Sequence, residues 1–395
     1  MSDNRGVTRR TAMAAGASLA ACWPRAADAR TRGRPGGAAF HGWIRPGPDD
    51  RRPIWGIRGG IQVALWPASV EGPGEGGPRG LLRLGYPILD GGKAVGLVNF
   101  IAVEPIVKGR RGFSELEKSD TDGRPGRIFW TGEGVARARN RAAPRLDRAA
   151  GIAGHERDAA NRDHTPYSAA HDRDAASDPD PGELRTVDGV ERLAVCMRTE
   201  RFANGAQVIV DLELRADRPG ELRLTASSAP GSAPMETCVL TATMGNYGRL
   251  RRLWLRGGPV ESQRVWPDFT GREFTPEAFF PSSRMRRMPG GDLLVCATTD
   301  EEDPHAVPPD PAGPGWAYRG SFPLTQYWRK PVDGSDVARL RVRVNGRRVY
   351  WATHNPIPGG LAFENFDLVQ PFTERQSFIF GLTRRSPAEV AAGKP

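Results

Sequence analysis

Short apolar runs separated by turn residues form the dominant pattern of this 395-residue chain. Between residues 54 and 107, the runs IQVALWP, LLRLGYPIL and AVGLVNFIAVEPIV are rich in Val, Ile, Leu and aromatic residues and are bounded by Gly and Pro. Runs of this length and composition are typical of β-strands joined by turns. The pattern therefore predicts a first β block over residues 54–136, and it shows no long helical periodicity.

A second series of strand-like runs begins at residue 183. The segments Arg192–Thr199, Gln207–Arg215 and Glu221–Ser227 are separated by Asn-Gly and Arg-Pro-Gly, which favours an antiparallel meander. In VIVDLELR, apolar residues alternate with mostly polar ones, so one face is expected to meet the core and the other mostly solvent. Further strands are predicted at Thr237–Met244 and Leu293–Thr298. Residues 183–390 are thus predicted to form the main block of an antiparallel β-sandwich, the fold class expected for the chain.

The segment RLRVRVNGRRVYWAT, residues 339–353, carries the strongest local hairpin signal. Asn345-Gly346 is the preferred pair for a two-residue type I′ turn, and pairing outward from it places Val342 opposite Val349 and Arg343 opposite Arg348. Like charges opposed in a sheet cost about 0.2–1 kcal/mol. The two arginines on this face are therefore expected to have an anionic neighbour or to splay into solvent. The neighbour would be either the acidic loop at residues 300–303 or a ligand carboxylate or sulfate.

Residues 137–182 differ in kind from the rest of the chain. The segment has almost no large apolar residue, and its eight Arg are balanced by eight Asp and Glu. Such a sequence buries too little apolar surface to offset the entropy of ordering, so a disordered insertion is predicted here. It holds three of the six His, but their irregular spacing predicts no metal site. Residues 30–53, rich in Gly, Pro and Arg, are predicted to form a flexible leader.

Residues 1–29 have the features of an export signal. Arg9 and Arg10 precede a small apolar run that is too short to span a bilayer. The segment TRRTAMAAGASLAAC resembles a bacterial Tat-type signal peptide. Thr11 and Ala12 stand where that signal usually has a bulky apolar pair, which keeps Sec export open. The protein is therefore expected in the periplasm, on the cell surface or in the medium.

Two processing sites compete within this signal. The segment ending at Cys22, LAAC, resembles a lipobox, which would make Cys22 the lipidated first residue of an anchored protein. The segment Ala27-Asp28-Ala29 is an A-x-A site whose cleavage would release a soluble protein. Contact with a membrane is expected only through the lipid anchor of the first alternative.

Charge and cysteine usage narrow the function classes. The formal charge is +10, but only five of the 56 basic residues are Lys, and no basic repeat is interleaved with aromatics. Nucleic acid is therefore not expected as a partner. No CxxC spacing is present, so a metal knuckle is not predicted, and at least one of Cys196, Cys238 and Cys296 is expected to be a buried free thiol. No nucleophile elbow, P-loop, dinucleotide fingerprint or HExxH sequence occurs.

Four consecutive carboxylates, DEED at residues 300–303, follow the strand-like run that ends at Thr298. Carboxylates just past a strand serve as calcium ligands, as the acid and base of a glycosidase, or as a solvated turn. On an extended backbone only alternate ones share a side, so Asp300 with Glu302 is one candidate catalytic pair. The spacing of an EF-hand is missing, and calcium is the one cofactor left open.

A third candidate catalytic residue is Glu364, in the segment LAFENFDLVQPF. Strict alternation places Glu364, Phe366 and Leu368 on one face, and Phe363 with Asp367 on the other. A carboxylate on an apolar face would have a raised pKa, as a general acid needs. The alternative is an edge or bulge that lets Glu364 reach water or an arginine.

The segment TQYWRK carries the candidate ligand-binding residues. Aromatic rings beside guanidinium groups suit a sugar, because a ring covers the apolar face of a pyranose while polar groups bind its hydroxyls. Tyr327, Trp328 and Arg329 are the candidates here, together with Trp316 and Arg348. The alternative is a strand in which Tyr327 and Trp328 simply alternate between the core and the other face.

The expected function is that of an exported β-sandwich protein that binds a carbohydrate or small polyol in the cell envelope. A glycan-active hydrolase or lyase is the alternative, and it predicts Glu364 within roughly 5–10 Å of a carboxylate among residues 300–303. A non-catalytic structural envelope protein is the second alternative. The binding protein predicts an exposed aromatic platform.

Overall fold

Antiparallel β-strands make up nearly all the regular structure in the computed structural model of the protein. The structure describes residues 40–45, 54–65, 81–90, 93–112, 182–199, 201–202, 204–243, 250–298, 325–332, 337–349, 356–357 and 359–393. All of them belong to one compact unit, residues 37–395. The export signal with Cys22, and the predicted insertion up to residue 181, lie outside the described residues and stay predictions.

The strands, numbered in chain order, form two sheets of ten. Those of sheet 1 are β1 (Trp43–Ile44), β2 (Ile54–Ile57), β3 (Gln62–Leu65), β4 (Leu81–Asp90), β5 (Lys93–Val107), β6 (Arg110–Arg111), β11 (Thr237–Thr243), β14 (Ala278–Pro281), β18 (Arg341–Arg347) and β19 (Ala362–Val369). Their spatial order is β1-β2-β3-β4-β5-β11-β19-β18-β14, and β6 pairs with β5.

Sheet 2 has the order β13-β12-β16-β17-β20-β10-β9-β8-β7, and β15 pairs with β16. Its strands are β7 (Glu183–Val187), β8 (Val190–Arg198), β9 (Val208–Arg215), β10 (Glu221–Ser228), β12 (Arg252–Leu255), β13 (Gly258–Glu261), β15 (Arg286–Arg287), β16 (Leu293–Thr298), β17 (Thr325–Lys330) and β20 (Gln376–Thr383). Two short helices, α1 (Ser262–Val265) and α2 (Pro387–Ala391), accompany the strands.

One hydrophobic core joins the two sheets. Val103, Leu240 and Val342 of sheet 1 belong to the same buried cluster as Leu212 and Phe378 of sheet 2. Each strand supplies alternate residues to this cluster, because side chains on a strand point to opposite faces in turn. Removal of this apolar surface from water is the main force that holds the layers together. The predicted all-β sandwich is confirmed.

The first β block does not form a sheet of its own. Strand β5 pairs along its C-terminal half with β11, so that Val103 lies opposite Leu240 and Glu104 opposite Val239. Strands from residues 43–107 therefore share sheet 1 with strands from the main block. Within the described residues, no helix combines the length and the apolar character needed to cross a membrane.

The outer face of β9 departs from the prediction that it is mostly solvated. The four apolar residues of VIVDLELR in alternate positions face the core as predicted. On the other face, however, Ile209 is buried and Asp211 is only 4% exposed, while Glu213 is half-buried. Burial raises the pKa of Asp211 to about 6, an effect that Arg375, 3.8 Å away, offsets only in part.

The predicted hairpin at Asn345-Gly346 is wrong. Both residues lie inside β18, which pairs with β19 on one side and β14 on the other, so Arg343 lies opposite Asp367 rather than Arg348. The register shifts at this pair, and the Asn345 side chain accepts a hydrogen bond from the Asn365 N–H, at 3.1 Å. A Cβ at Gly346 would stand 2.7 Å from the Ala362 carbonyl oxygen. The glycine therefore permits close approach at a bulge rather than a tight turn.

Candidate functional site

Those predicted site residues that the structure describes do not lie in one place. Asp300, Glu302 and Trp316 lie outside the described residues, so the predicted carboxylate pairing stays a prediction. The residues that are described divide between the sheets, with Glu364 on β19 of sheet 1 and Tyr327 on β17 of sheet 2. Glu364 and Tyr327 therefore belong to different sheets.

Trp328 is a core residue and not part of a ligand platform. Its side chain is 1% exposed, and its indole N–H donates to the Phe366 carbonyl across the sandwich, at 2.7 Å. Its ring packs edge-on against Phe378 and Phe380. Strand β17 thus follows the alternative of simple alternation, with Trp328 inward and Tyr327 on the other face. Sequence reasoning left both arrangements open because they have the same pattern.

Glu364 occupies the extra position of the bulge between β18 and β19. Gly346 lies opposite Phe363 and Asn345 opposite Asn365, which leaves Glu364 between the paired positions. Because the bulge shifts the alternation, Phe363 joins Phe366 in the core, contrary to the predicted faces. Glu364 itself is 7% exposed. Catalysis at Glu364 stays a prediction.

Arg348 serves the local structure after β18. It is half-buried, and its guanidinium donates to the Phe269 carbonyl at 3.1 Å. Its chain neighbour Arg347 is buried with its guanidinium over the Phe274 ring, 4.7 Å from the centroid. These contacts fasten the segment before β14 to β18.

The anionic neighbour predicted for Arg343 exists, but it comes from within sheet 1. The Arg343 guanidinium donates to both oxygens of Asp367 on β19, at 2.8–3.2 Å, and to Glu104 on β5 at 3.1 Å. It also donates to the Thr241 hydroxyl of β11 and to Glu277, which precedes β14. We call this group the Arg343 network. It crosses five neighbouring strand positions on the outer face of the sheet.

Electrostatics in the Arg343 network favour a structural brace over a binding site. Burial opposes the charge on Arg343, but Asp367 and Glu104 outweigh it and raise the pKa of the guanidinium. Burial also raises the pKa of Asp367, which Arg343 offsets only in part. Arg111 contacts both Glu104 and Glu277, so two guanidinium groups face three carboxylates. Since Asp367 has no exposed surface, a ligand has no access to the centre of the network.

A different arrangement surrounds Tyr327 on the outer face of sheet 2. Tyr327 lies directly opposite Gly381 of β20, which in turn lies opposite Glu221 of β10. A Cβ at Gly381 would stand 2.0 Å from the Tyr327 ring, so the ring lies flat across the glycine. The phenol reaches over β20 in this way and donates to Glu221 at 3.0 Å. Burial and Glu221 raise the pKa of Tyr327 well above its usual value.

Glu221 is the centre of a short ionic chain. One carboxylate oxygen accepts from Tyr327, and the other accepts from Arg329 on β17. Arg329 also donates to Asp292, at 2.6 Å. Burial opposes the charge on Arg329, but Glu221 and Asp292 outweigh it and raise its pKa. The predicted binding residue Arg329 is thus engaged within the protein and holds Glu221 in place.

A surface pocket of about 250 Å³ lies beside this chain, and we call it the Tyr327 pocket. Its walls are the β9–β10 turn, the end of β20 with the residues that follow, and the side chains of Met288 and Val390. The residues that line it are Asp217, Arg218, Pro219, Gly220, Glu221, Met288, Tyr327, Thr383, Arg384, Arg385 and Val390. It is the candidate functional site, because polar groups from distant parts of the chain converge on one concave surface.

Helix α2 supports one wall of the Tyr327 pocket. Ser386 caps the helix in a capping box with Glu389, which fixes the backbone just after Arg385. Val390 of the helix packs with Tyr327, Leu294 and Cys296 in a small apolar cluster on the outer face of sheet 2. Burial raises the pKa of the Cys296 thiol to about 12, so it acts here as an apolar side chain. The prediction of a buried free thiol is confirmed for Cys238 and Cys296.

Neither a metal-ligand cluster nor a related protein points to a function. Within the part of the chain that the structure describes, no three His, Cys, Asp or Glu side chains lie close enough together to hold a metal ion. No protein-family model matches the chain, and a comparison with curated proteins likewise finds no significant match. The geometry of the site therefore carries the functional argument by itself.

Sequence reasoning found Tyr327, and Arg329 next to the pocket, but missed the other residues of the pocket. Arg218 lies in the Arg-Pro-Gly segment, whose sequence predicts a turn and no binding role. Arg384 and Arg385 directly follow a strand. A basic residue next to a turn or strand end is a common surface feature and gives no signal by itself. The pairing register that brings these segments together could not be obtained from local patterns.

Proposed function

We propose that this protein is an exported β-sandwich protein that binds a carbohydrate or a similar polyol in the cell envelope, and that the ligand occupies the Tyr327 pocket. One observation carries the proposal, namely that hydroxyl, carboxylate and guanidinium groups converge on a single open pocket. Sugar hydroxyls both donate and accept hydrogen bonds, so a pocket with both kinds of partner suits them.

The dimensions of the pocket support a small ligand or one unit of a longer one. Its volume of about 250 Å³ lies just below the range of roughly 300–1,000 Å³ that is usual for drug-sized ligands. The pocket is open on the outer face of sheet 2, so a chain can extend beyond the unit that is bound. One sugar ring with its substituents is the ligand that fits this description.

The role proposed for Tyr327 differs from the stacking platform expected from the sequence. Only 6% of this residue is exposed, and its ring covers Gly381. Its hydroxyl instead orients Glu221 at the base of the pocket. Recognition would therefore depend on hydrogen bonds that Thr383 and the arginines donate and that Asp217 accepts, with the Tyr327–Glu221 pair as the rigid floor.

Binding without hydrolysis is the function that the pocket supports. A general acid needs a carboxyl group with a raised pKa. The Arg215 guanidinium donates from two nitrogens to the two carboxylate oxygens of Asp217, at 2.8 and 2.9 Å. These hydrogen bonds lower the pKa of Asp217. Glu221 is held by Arg329 and Tyr327. Asp217 is therefore suited to accept hydrogen bonds from a ligand as an anion.

A glycan array with the purified protein, in the presence and absence of calcium, tests the proposal. The matched variants are Thr383→Trp, which fills the pocket from its rim, and Arg256→Trp, which places the same ring in the exposed turn between β12 and β13. We expect glycan binding that Thr383→Trp abolishes and Arg256→Trp leaves unchanged. An array without binders, or binding that Thr383→Trp does not affect, would contradict the proposal.

Export and anchoring are tested by cell fractionation. Replacement of Arg9 and Arg10 by Lys is expected to retain the protein in the cytoplasm if the Tat-type signal operates. A Cys22→Ala variant is expected to lose membrane association if the lipobox is processed. A distribution unchanged by either substitution would contradict Tat export and lipid anchoring, respectively.

A further inference from the structure

We infer that the ligand of the Tyr327 pocket is a sugar unit that carries a methyl group, and that this methyl group packs against Met288 and Val390. The inference rests on the proposed function, because it names the class of sugar that the same pocket would bind. The methyl group belongs either to the terminal carbon of a 6-deoxyhexose or to an acetamido substituent, and both present the same apolar surface to the pocket.

The walls of the Tyr327 pocket differ in polarity. Asp217 and Glu221 come from the β9–β10 turn and the start of β10, and Thr383 ends β20. Met288 and Val390 come from other parts of the chain, and their side chains contain no strong hydrogen-bonding group. A ligand that fills the pocket therefore meets mostly polar groups on one wall and apolar groups on the other.

The strand order of sheet 2 separates these two walls. The strands β16, β17, β20 and β10 are consecutive neighbours in the sheet. Met288 lies in the turn that joins β15 to β16, and Val390 packs with Leu294 and Cys296 of β16. The β9–β10 turn lies at the other end of this row. The apolar wall is therefore on the β16 side of the pocket and the polar wall on the β10 side.

Hydrogen bonds fix the backbone of Met288. Its N–H donates to the Asp292 carbonyl at 2.8 Å, and its own carbonyl accepts from the Gly291 N–H at 2.9 Å. The Asp292 side chain accepts from Arg329, which also donates to Glu221 at the base of the pocket. One chain of contacts thus connects the apolar wall to the polar floor, so both are held in a fixed relation to a ligand.

Met288 is the most accessible part of the apolar wall. Val390 is 8% exposed and Tyr327 is 6% exposed, whereas Met288 is half-buried. Met288 packs against the small apolar cluster that contains both of these residues, and its methyl carbon would stand 3.8 Å from a Cβ at Gly393, just beyond α2. The surface of Met288 that lines the pocket offers a hydroxyl group only the thioether sulfur, which is a weak acceptor.

A methyl group fits this wall better than a hydroxyl group does. Burial of apolar surface against the wall is favourable, and the flexible, polarisable side chain of methionine adapts to the shape of its partner. A hydroxyl group in the same place would lose hydrogen bonds to water without gaining a strong partner in the protein. A 6-deoxyhexose or an acetamido sugar is therefore expected to bind in preference to an unmodified hexose.

The experiment uses a glycan array of matched pairs. Each 6-deoxyhexose is paired with its parent hexose, and each acetamido sugar with its formamido counterpart, which lacks only the methyl group. We expect binding at least roughly fourfold tighter to the methyl-bearing member of one kind of pair, since this is the effect of burying about one methylene equivalent. The kind of pair that shows the difference identifies the source of the methyl group.

Met288→Gln is the test variant, because glutamine has a similar length and replaces the thioether by an amide. It is expected to remove the difference between the members of a pair, whereas Met288→Leu, which keeps the wall apolar, is expected to retain it. Met235→Gln is the matched control, since Met235 is also half-buried but does not line the pocket. Thermal unfolding of the three variants checks that the fold is retained.

A second measurement does not depend on a glycan. Protein labelled with ¹³C in the methionine methyl groups is titrated with cyclohexanol, a small apolar alcohol, and followed by NMR. The signals that disappear in Met288→Leu and in Met235→Leu assign the two methyl groups. We expect a saturable shift of the Met288 signal that Thr383→Trp abolishes, and no shift of the Met235 signal.

The outcomes separate this inference from the proposed function. Glycan binding that Thr383→Trp abolishes, but that shows no preference for a methyl group or a preference that Met288→Gln leaves intact, would overturn the inference and keep the function. A saturable cyclohexanol shift at Met288 without any glycan binder would overturn the carbohydrate function and support the apolar subsite. Absence of both glycan and cyclohexanol binding would contradict both.

Discussion

Tyr327 and Gly381 form a complementary pair across two neighbouring strands, in which the tyrosine ring occupies the space that any other side chain at residue 381 would need. The pair allows the phenol to reach a third strand and hold Glu221 at the base of the Tyr327 pocket.

Gly381→Ala is expected to destabilise the protein by about 1–3 kcal/mol, because the new methyl group overlaps the Tyr327 ring and forces it to move. Urea unfolding measures the change. Gly257→Ala is the control, since a Cβ there meets nothing within 4 Å. In a Tyr327→Leu background the cost of Gly381→Ala is expected to fall, and an equal cost in both backgrounds would mean that the ring is not the cause.

Tyr327→Phe removes the hydrogen bond to Glu221 and leaves the apolar packing of the ring intact. A hydrogen bond to a charged group contributes roughly 1.5–3 kcal/mol, so a loss of that order in the free energy of unfolding is expected. Isothermal titration calorimetry should also show weaker glycan binding, because Glu221 is less well oriented. Unchanged stability together with unchanged binding would show that the phenol does not support the pocket.

Arg343→Met is expected to cost about 3–5 kcal/mol at neutral pH, because Asp367 then lies buried without the hydrogen-bonded guanidinium that faces it, and Glu104 keeps only the half-buried Arg111. The pKa of Asp367, already raised, should rise further in the variant. A raised folded-state pKa means that the folded protein binds protons more readily, so the variant should recover stability as the pH falls. The double variant Arg343→Met, Asp367→Leu should be more stable than the single one at pH 7; equal stability would exclude Asp367 as the source of the cost.

Asp211→Asn is expected to stabilise the protein at pH 7. The folded-state pKa of about 6 lies above the ordinary 3.8, so the folded protein holds a proton that the unfolded chain has released at intermediate pH. Stability from this group is therefore highest below about pH 4 and is lost as the pH rises through 6. Each pKa unit corresponds to about 1.4 kcal/mol, which gives the substitution roughly 1–3 kcal/mol at pH 7.

Thermal unfolding as a function of pH checks this expectation. The difference between Asp211→Asn and the unmodified protein should vanish near pH 4 and grow toward pH 7. Asp217→Asn should show the opposite trend, because Arg215 lowers the pKa of Asp217. A stabilisation by Asp211→Asn that does not depend on pH would mean that the charge of Asp211 is not responsible.

Local patterns predicted the strands well because alternation is a local property. Strand β16 begins and ends where the apolar run Leu293–Thr298 does, and the core face of β9 is the predicted one. The Asn345-Gly346 pair shows where local rules fail. Gly346 lies close to Ala362 of the paired strand β19 and to Trp266, contacts that arise only once distant segments have come together.

The candidate site was harder to predict for the same reason. Its floor requires that residues 221, 327 and 381 be in register on adjacent strands, although 106 residues separate Glu221 from Tyr327 along the chain. The sequence contains the right side chains, but nothing local states which strands are neighbours. Of the aromatic pair, Tyr327 lines the candidate site while Trp328 points into the core, and the sequence pattern does not distinguish the two faces.

The Arg343 network also sets the order in which the protein can assemble. Its hydrogen bond between Arg343 and Glu104 closes a loop of 239 residues, and its other strands come from opposite parts of the chain. Closure of so long a loop precedes any gain from the ion pairs, so sheet 1 is expected to form slowly and late. A ribosome-bound chain cannot complete this sheet until Asp367 has emerged, so β5 and β11 are made long before the partner strand that closes the network.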